Sequence, residues 1–338
     1  MYCCSECFGD VGLSRILPSF STANGVCGYC GSNDVGLVDP IKLFDLFSSV
    51  TNIYEESEEG QELVSWFRED WAMFRHSKMD DFRVKDLLAA ILDDAVLVRK
   101  RFKPSERFKS NRLERWDLLT TELRRRNRYF PEIEIDFSRL ADLLVFLRAQ
   151  NMEKNWYRAR INADENTFPI DKMGAPPVGV ASHGRANPPG IPYLYVGSTP
   201  ETSIAEIRPH TGETATVAEF NIDGGALAVV DLRAPKQLIS PFSLGDEDKI
   251  GALRGDIDFL ERLGNELTRP VRPQAAPVEY VPSQYLCEFI KRSGWDGVLY
   301  SSSVSDGVNL ALFEPEKAEP KNVSLWRVQK VTVSVAKG

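Results

Sequence analysis

A loop shaped by glycine and proline, Gly184-Arg185-Ala186-Asn187-Pro188-Pro189-Gly190-Ile191-Pro192, runs into Tyr193-Leu194-Tyr195, and Thr202-Ser203-Ile204-Ala205-Glu206 follows. An arginine, a tyrosine and a glutamate are thus close together in the chain. That set suits holding a phosphorylated sugar and splitting it. A guanidinium grips phosphate oxygens in a planar fork. An aromatic ring packs on a flat leaving group, and glycine lets the backbone approach a ligand. Cleaving an N-glycosidic bond to ribose builds positive charge at the anomeric carbon. A carboxylate beside the ribose stabilises that charge more than it stabilises the ground state.

Further candidates lie on either side. Tyr157 and Arg158 belong to the alternating run Trp156-Tyr157-Arg158-Ala159-Arg160, expected to be a strand. Ser302 ends Gly294-Trp295-Asp296-Gly297-Val298-Leu299-Tyr300-Ser301-Ser302, where it places a hydroxyl at a strand end. Asn187 is expected to tie the loop to its own backbone and counts among the substrate-binding candidates.

These residues need elements to position them. The chain of 338 residues has room for two or three domains. The fold class expected is α+β in three parts. Residues 1–38 are turn-rich and carry Cys4-Ser5-Glu6-Cys7 and Cys27-Gly28-Tyr29-Cys30. Two such turns supply four thiolates, which matches a closed, structural zinc ribbon. Cys3 competes with Cys4 as a ligand, and Cys287 reads as core. Residues 39–150 read as an all-α domain: Ile41 to Phe47, Leu63 to Phe67, Leu87 to Val96, Leu113 to Leu123 and Phe137 to Gln150 show helical spacing, with a break at Pro104. The acids from Glu55 to Glu62 read as a solvated face or linker. Residues 151–338 read as mixed α+β. A long loop covers 162–191, a helix opens at Thr199-Pro200-Glu201, strands join at Asp223-Gly224-Gly225, and a last strand covers Leu325 to Val335.

The formal net charge is -8, which argues against general affinity for nucleic acid. Charge is uneven, however: between Arg99 and Arg128 twelve Lys or Arg face four acids, a local +8. That run reads as a solvated helical face or as a site for nucleic acid or another polyanion. With no apolar run near the ~18 residues of a membrane helix and no charged-then-apolar leader, the expected location is cytoplasmic, without a membrane partner.

The strings Gly184 to Gly190, Tyr195, Ala205-Glu206, Tyr280-Val281-Pro282-Ser283-Gln284, Asp296 to Ser302 and Asn309-Leu310-Ala311-Leu312-Phe313 resemble, in order, the RES-domain family. The resemblance covers roughly residues 153–320. It implies an ADP-ribosyltransferase-like fold and NAD+ as substrate, with nicotinamide split off and phosphate or water as acceptor. It implies that Arg158 and Arg185 bind phosphate, that Tyr195 lines the nicotinamide-ribose pocket, that Glu206 stabilises the oxocarbenium and that Ser302 bonds substrate. Ala186 stands where many relatives carry Trp. It also implies a toxin or defence effector, with an inhibitor or antitoxin protein as partner. A second copy of the chain is another candidate partner. Residues 1–150 resemble the zinc-ribbon and HEPN-type region that precedes some RES domains. His76 has Arg75 beside it and Arg68 eight positions earlier, which is not the HEPN ribonuclease spacing. Two alternatives stand beside NAD+ cleavage: ADP-ribose transfer to a protein or nucleic acid, and a non-enzymatic zinc-ribbon and basic-helix module in which Arg185 and Glu206 would be dispensable.

Overall fold

The computed structural model describes residues 1–332. Contacts divide the chain into two compact units: Met1–Glu114 with Ala234–Glu261, and Arg115–Arg233 with the residues from Arg262 onwards. Among the described residues no helix is long and apolar enough to cross a membrane.

The first unit begins with a short helix, Ser5–Phe8, stopped by Gly9 at φ 64°, a conformation open to glycine. Strands β1 (Ala23–Gly25) and β2 (Val35–Leu37) pair antiparallel behind it. Helices Phe44–Thr51, Leu63–Trp71 and Asp81–Leu92 follow. The last starts where the Asp80 carboxylate accepts from Arg83 N at 2.9 Å, which satisfies one of the free N–H groups at a helix start. Their apolar faces meet around Phe47, whose ring centroid lies 5.5 Å from Phe8 and 4.9 Å from Phe242.

Residues 39–150 are not all helix, contrary to the sequence expectation. Strands β3 (Tyr54–Glu62) and β4 (Arg101–Pro104) form an antiparallel pair. The acidic run, read as a solvated face or linker, is strand β3 with Glu55, Glu56, Glu58 and Glu59 exposed, so it is a solvated face and not a linker, and Pro104 ends β4 rather than breaking a helix. Cross-strand charge explains the pairing: Lys100 reaches Glu56 at 2.6 Å and Lys103 reaches Glu55 at 3.2 Å. Other members of the basic run are answered by acids distant in sequence. Arg107 pairs with Asp248 at 2.7 Å and Arg112 with Asp256 at 2.6 Å. In the second unit Arg124 pairs with buried Glu266 at 3.2 Å. Much of the local +8 is therefore compensated within the fold.

The second unit is built on a seven-stranded mixed sheet: β5 (Asn155–Ile161), β6 (Leu194–Gly197), β7 (Thr214–Asn221), β8 (Val229–Asp231), β9 (Gly297–Ser301), β10 (Val308–Leu312) and β11 (Glu319–Arg327). The spatial order is β11-β7-β5-β6-β10-β9-β8, antiparallel except for the parallel β8–β9 pair. Strands β7 and β8, adjacent in sequence through Asp223-Gly224-Gly225, therefore lie towards opposite edges. The last strand starts and ends earlier than the expected Leu325 to Val335, and residues 333–335 lie outside the described residues. Strand alternation gives one face to the core, with Trp156, Leu194, Val196, Phe220, Leu310 and Leu312 buried together. The alternate positions carry the site.

One buried network tests the first unit. Asp70 accepts from Arg254 Nε and from the Tyr54 hydroxyl, each at 2.9 Å, and Tyr54 accepts from Trp71 Nε1 at 3.0 Å. Asp70→Ala strands a largely buried guanidinium, and we expect a loss of about 3 kcal/mol in denaturant unfolding, against a small change for Glu58→Ala on exposed β3.

Candidate active site and metal cluster

One rung of the sheet floors the site. Tyr157 on β5 pairs with Gly197 on β6, Gly197 with Asn309 on β10, and Asn309 with Tyr300 on β9. Cross-strand partners point to the same face, and all four residues line one cavity of about 560 Å³. Gly197 is required there: a Cβ would meet Ser203 N at 2.9 Å. Strands β5 and β6 pair only at this rung, and both Tyr157 and Arg158 line the cavity.

Glu206 reaches the cavity from the helix Pro200–Glu206. Proline at its first position and Thr199, whose hydroxyl accepts from Thr202 N at 3.1 Å, start that helix. Two donors meet on one carboxylate oxygen: Ser302 Oγ at 2.7 Å and Asn309 Nδ2 at 2.6 Å from Glu206 Oε1. The Ser302 oxygen in turn accepts from Val304 N at 3.2 Å and Ser305 N at 3.1 Å. Ser302 is thus oriented onto Glu206 and is not among the residues lining the cavity. Oε2 makes no hydrogen bond among the described residues.

The 182–191 loop is locked by Tyr195. Its hydroxyl accepts from Ala186 N at 3.0 Å and Asn187 N at 3.1 Å and donates to Asn187 Oδ1 at 2.7 Å. Asn187 Nδ2 donates to the carbonyls of Ser182, Pro188 and Ile191. Burial pushes the Tyr195 phenol up, so it keeps its proton. Asn187 lines the cavity, but its polar atoms are turned into the loop.

This locked loop presents Arg185, which is 9% exposed. Nη1 donates to the Arg269 carbonyl at 2.8 Å and Nη2 to Ser303 Oγ at 3.0 Å, with the Tyr280 ring centroid 5.2 Å from Cζ. From below, Ser283 Oγ holds the Arg185 carbonyl at 2.6 Å. Every partner of the guanidinium is neutral, so its charge is not cancelled. Arg158 has no ion pair among the described residues, and its buried Nε has no hydrogen-bond partner. Burial, followed by the nearby Arg160 charge, lowers Arg158 to about 10, which still leaves it cationic at neutral pH. Arg208, two residues past Glu206 at φ 51°, also lines the cavity. Three arginines thus line the cavity together with Glu206, the one acid among the described lining residues.

The structure brings Tyr157, Arg158, Arg185, Asn187, Tyr195 and Glu206 to one cavity, with Ser302 behind Glu206. Sequence reading includes Tyr280, Tyr300 and Asn309 in the strings that resemble the family without giving them a role, and passes over Arg208. An asparagine inside the apolar strand Val308–Leu312 was the available signal, because a buried amide needs a partner.

The four cysteines of the first unit also converge. The Sγ atoms of Cys4, Cys7, Cys27 and Cys30 are buried and lie within 4.8 Å of one another. Cys4–Cys30 is 3.5 Å and Cys7–Cys27 3.4 Å, near the ~3.8 Å edge of a tetrahedron with metal–sulfur bonds of ~2.3 Å. The cluster can hold a metal ion. Cys3 is not part of it; its thiol points to the Val38 carbonyl at 3.5 Å. Cys287 is fully buried in the other unit.

One cavity of the mixed sheet thus holds an anchored carboxylate and three arginines. The chain belongs to the RES-domain family, which matches residues 155–331, just over half of its length. Among solved structures, a chain of the crystal structure of the M. tuberculosis MbcT-MbcA toxin-antitoxin complex is similar at 13% identity and a TM-score of 0.32, covering 56% of this chain and 92% of that one. No curated protein matches.

The loop lock is testable. Tyr195→Phe removes the acceptor of two buried N–H groups and the donor to Asn187, and should cost about 1–3 kcal/mol. Limited proteolysis should then cut between residues 182 and 191 faster than in the wild type.

Proposed function

We propose that the cavity binds NAD+ and breaks its nicotinamide–ribose bond. The observation that carries this reading is the single carboxylate held by Ser302 and Asn309 in a cavity that is also lined by three arginines without ion pairs among the described residues. The RES family membership and the sequence resemblance support NAD+ as the substrate. Arg158 and Arg185 would take the pyrophosphate, whose charge they complement. Glu206 would face the nicotinamide ribose. The C–N bond breaks with its electron pair leaving on neutral nicotinamide, and the oxocarbenium that remains is stabilised by the carboxylate. An oxygen of water or of inorganic phosphate then adds to the anomeric carbon; water loses a proton in the process. Tyr157, Tyr195 and Asn187 would shape the pocket. Ser302 would act on the reaction through Glu206. The unit carrying this sheet would adopt the ADP-ribosyltransferase-like arrangement. Since such an enzyme drains a common cofactor, the proposed role is a toxin or defence effector restrained by an inhibitor protein.

In the same reading the cysteine cluster holds zinc. Its buried Cys4 set leaves no position open for substrate, so the metal would be structural. Metal analysis should give about one zinc per chain. Cys27→Ser should lower both the zinc content and the melting temperature, and a folded protein with no zinc and an unchanged melt would oppose this assignment.

The activity test is to incubate the purified chain with NAD+, with and without inorganic phosphate, and follow nicotinamide. Release in wild type and a drop of about 10²–10³-fold or more in Glu206→Ala is the expected result, and phosphate dependence separates phosphorolysis from hydrolysis. Unchanged turnover in a folded Glu206→Ala protein would sink the reading. Modification of an added protein or nucleic acid instead would favour ADP-ribose transfer.

A further inference from the structure

Tyr300 is the member of the cavity floor that the account so far leaves without work. It pairs across the sheet with Asn309, so its side chain leaves the same face as the amide that holds Glu206. It lines the cavity and is 4% exposed. Its phenol makes no hydrogen bond among the described residues, although buried tyrosine hydroxyls ordinarily find a partner. Its charged and titratable neighbours are Tyr195, Glu206, Arg185 and Cys287. The Tyr195 hydroxyl is occupied by the loop, and the Arg185 guanidinium, a donor only, offers the phenol proton no acceptor. Burial, with Tyr195 and Glu206 adding to it, pushes the Tyr300 phenol well above its ordinary value, so it is a neutral donor at every working pH.

A donor beside a carboxylate acceptor matches a vicinal diol. One hydroxyl donates a hydrogen bond to the carboxylate, and its neighbour accepts one from the phenol. We propose that Tyr300 is a substrate-binding residue whose O–H donates to a hydroxyl oxygen of the same sugar ring that Glu206 engages. The inference rests on the NAD+-cleaving reading above and names which side chain completes its sugar site. The phenol fixes the ring against the carboxylate, and its loss leaves the sugar hydroxyl without that donor.

Tyr300→Phe keeps the ring and deletes the oxygen, and its melting temperature reports the fold. Turnover is measured on NAD+ and on two NAD+ analogues lacking the 2′- or the 3′-hydroxyl of the nicotinamide ribose. The expected result is a fall in kcat/KM of about tenfold or more on NAD+, with less than about a twofold further penalty on one deoxy analogue, because the partner hydroxyl is already gone. Wild-type kcat/KM in Tyr300→Phe, or an equal loss on NAD+ and both analogues, overturns the inference while leaving NAD+ cleavage in place. Wild-type protein that releases no nicotinamide overturns the reading and the inference together.

Discussion

A single carboxylate oxygen organises the second unit. Glu206 Oε1 receives both the Ser302 hydroxyl and the Asn309 amide. These three residues come from a helix after β6, a turn after β9 and strand β10. None of the donors carries a charge, so the carboxylate is oriented without being neutralised. A cation in the same place would cancel the field that the proposed cleavage needs at a developing positive centre. Preorganisation extends one layer further, because the Ser302 oxygen is itself fixed by two backbone N–H groups.

The same economy governs the arginines. Arg185 is positioned by a carbonyl, a hydroxyl and an aromatic face, all neutral. The carbonyl it uses belongs to Arg269, whose own side chain is held by Glu279 at 2.8 Å. Acids therefore fix the supports of the site, and Glu206 is the one acid among the described residues lining the cavity. In a chain of net charge -8, a cavity with three uncompensated arginines is a local reversal of sign. That reversal attracts anions where the rest of the surface repels them.

How much of this was legible before the structure depended on range. The Arg185, Tyr195 and Glu206 constellation lies within a short stretch, so its loop, strand and helix are legible from local signals, and the three residues line one cavity. The C-x2-C spacing likewise named the four cysteines. What could not be read was pairing across the sheet. Asn309 and Tyr300 become site residues only because β10 and β9 share a rung with Gly197 and Tyr157, and register is a tertiary property. The β3–β4 pair was missed for a related reason. Its strands are separated by two helices, and Tyr54 to Glu62 carries too many glutamates to look like a strand until Lys100 and Lys103 are set opposite them. The family resemblance implies that Ser302 bonds substrate, whereas in the structure its hydroxyl donates to Glu206.

The most direct measurement is a crystal structure of the chain with ADP-ribose, the larger fragment left when nicotinamide departs. The account predicts the pyrophosphate against Arg158 and Arg185 and the terminal ribose against Glu206, with Ser302 and Asn309 still on Oε1. ADP-ribose bound elsewhere, or with its phosphates away from both arginines, would contradict it.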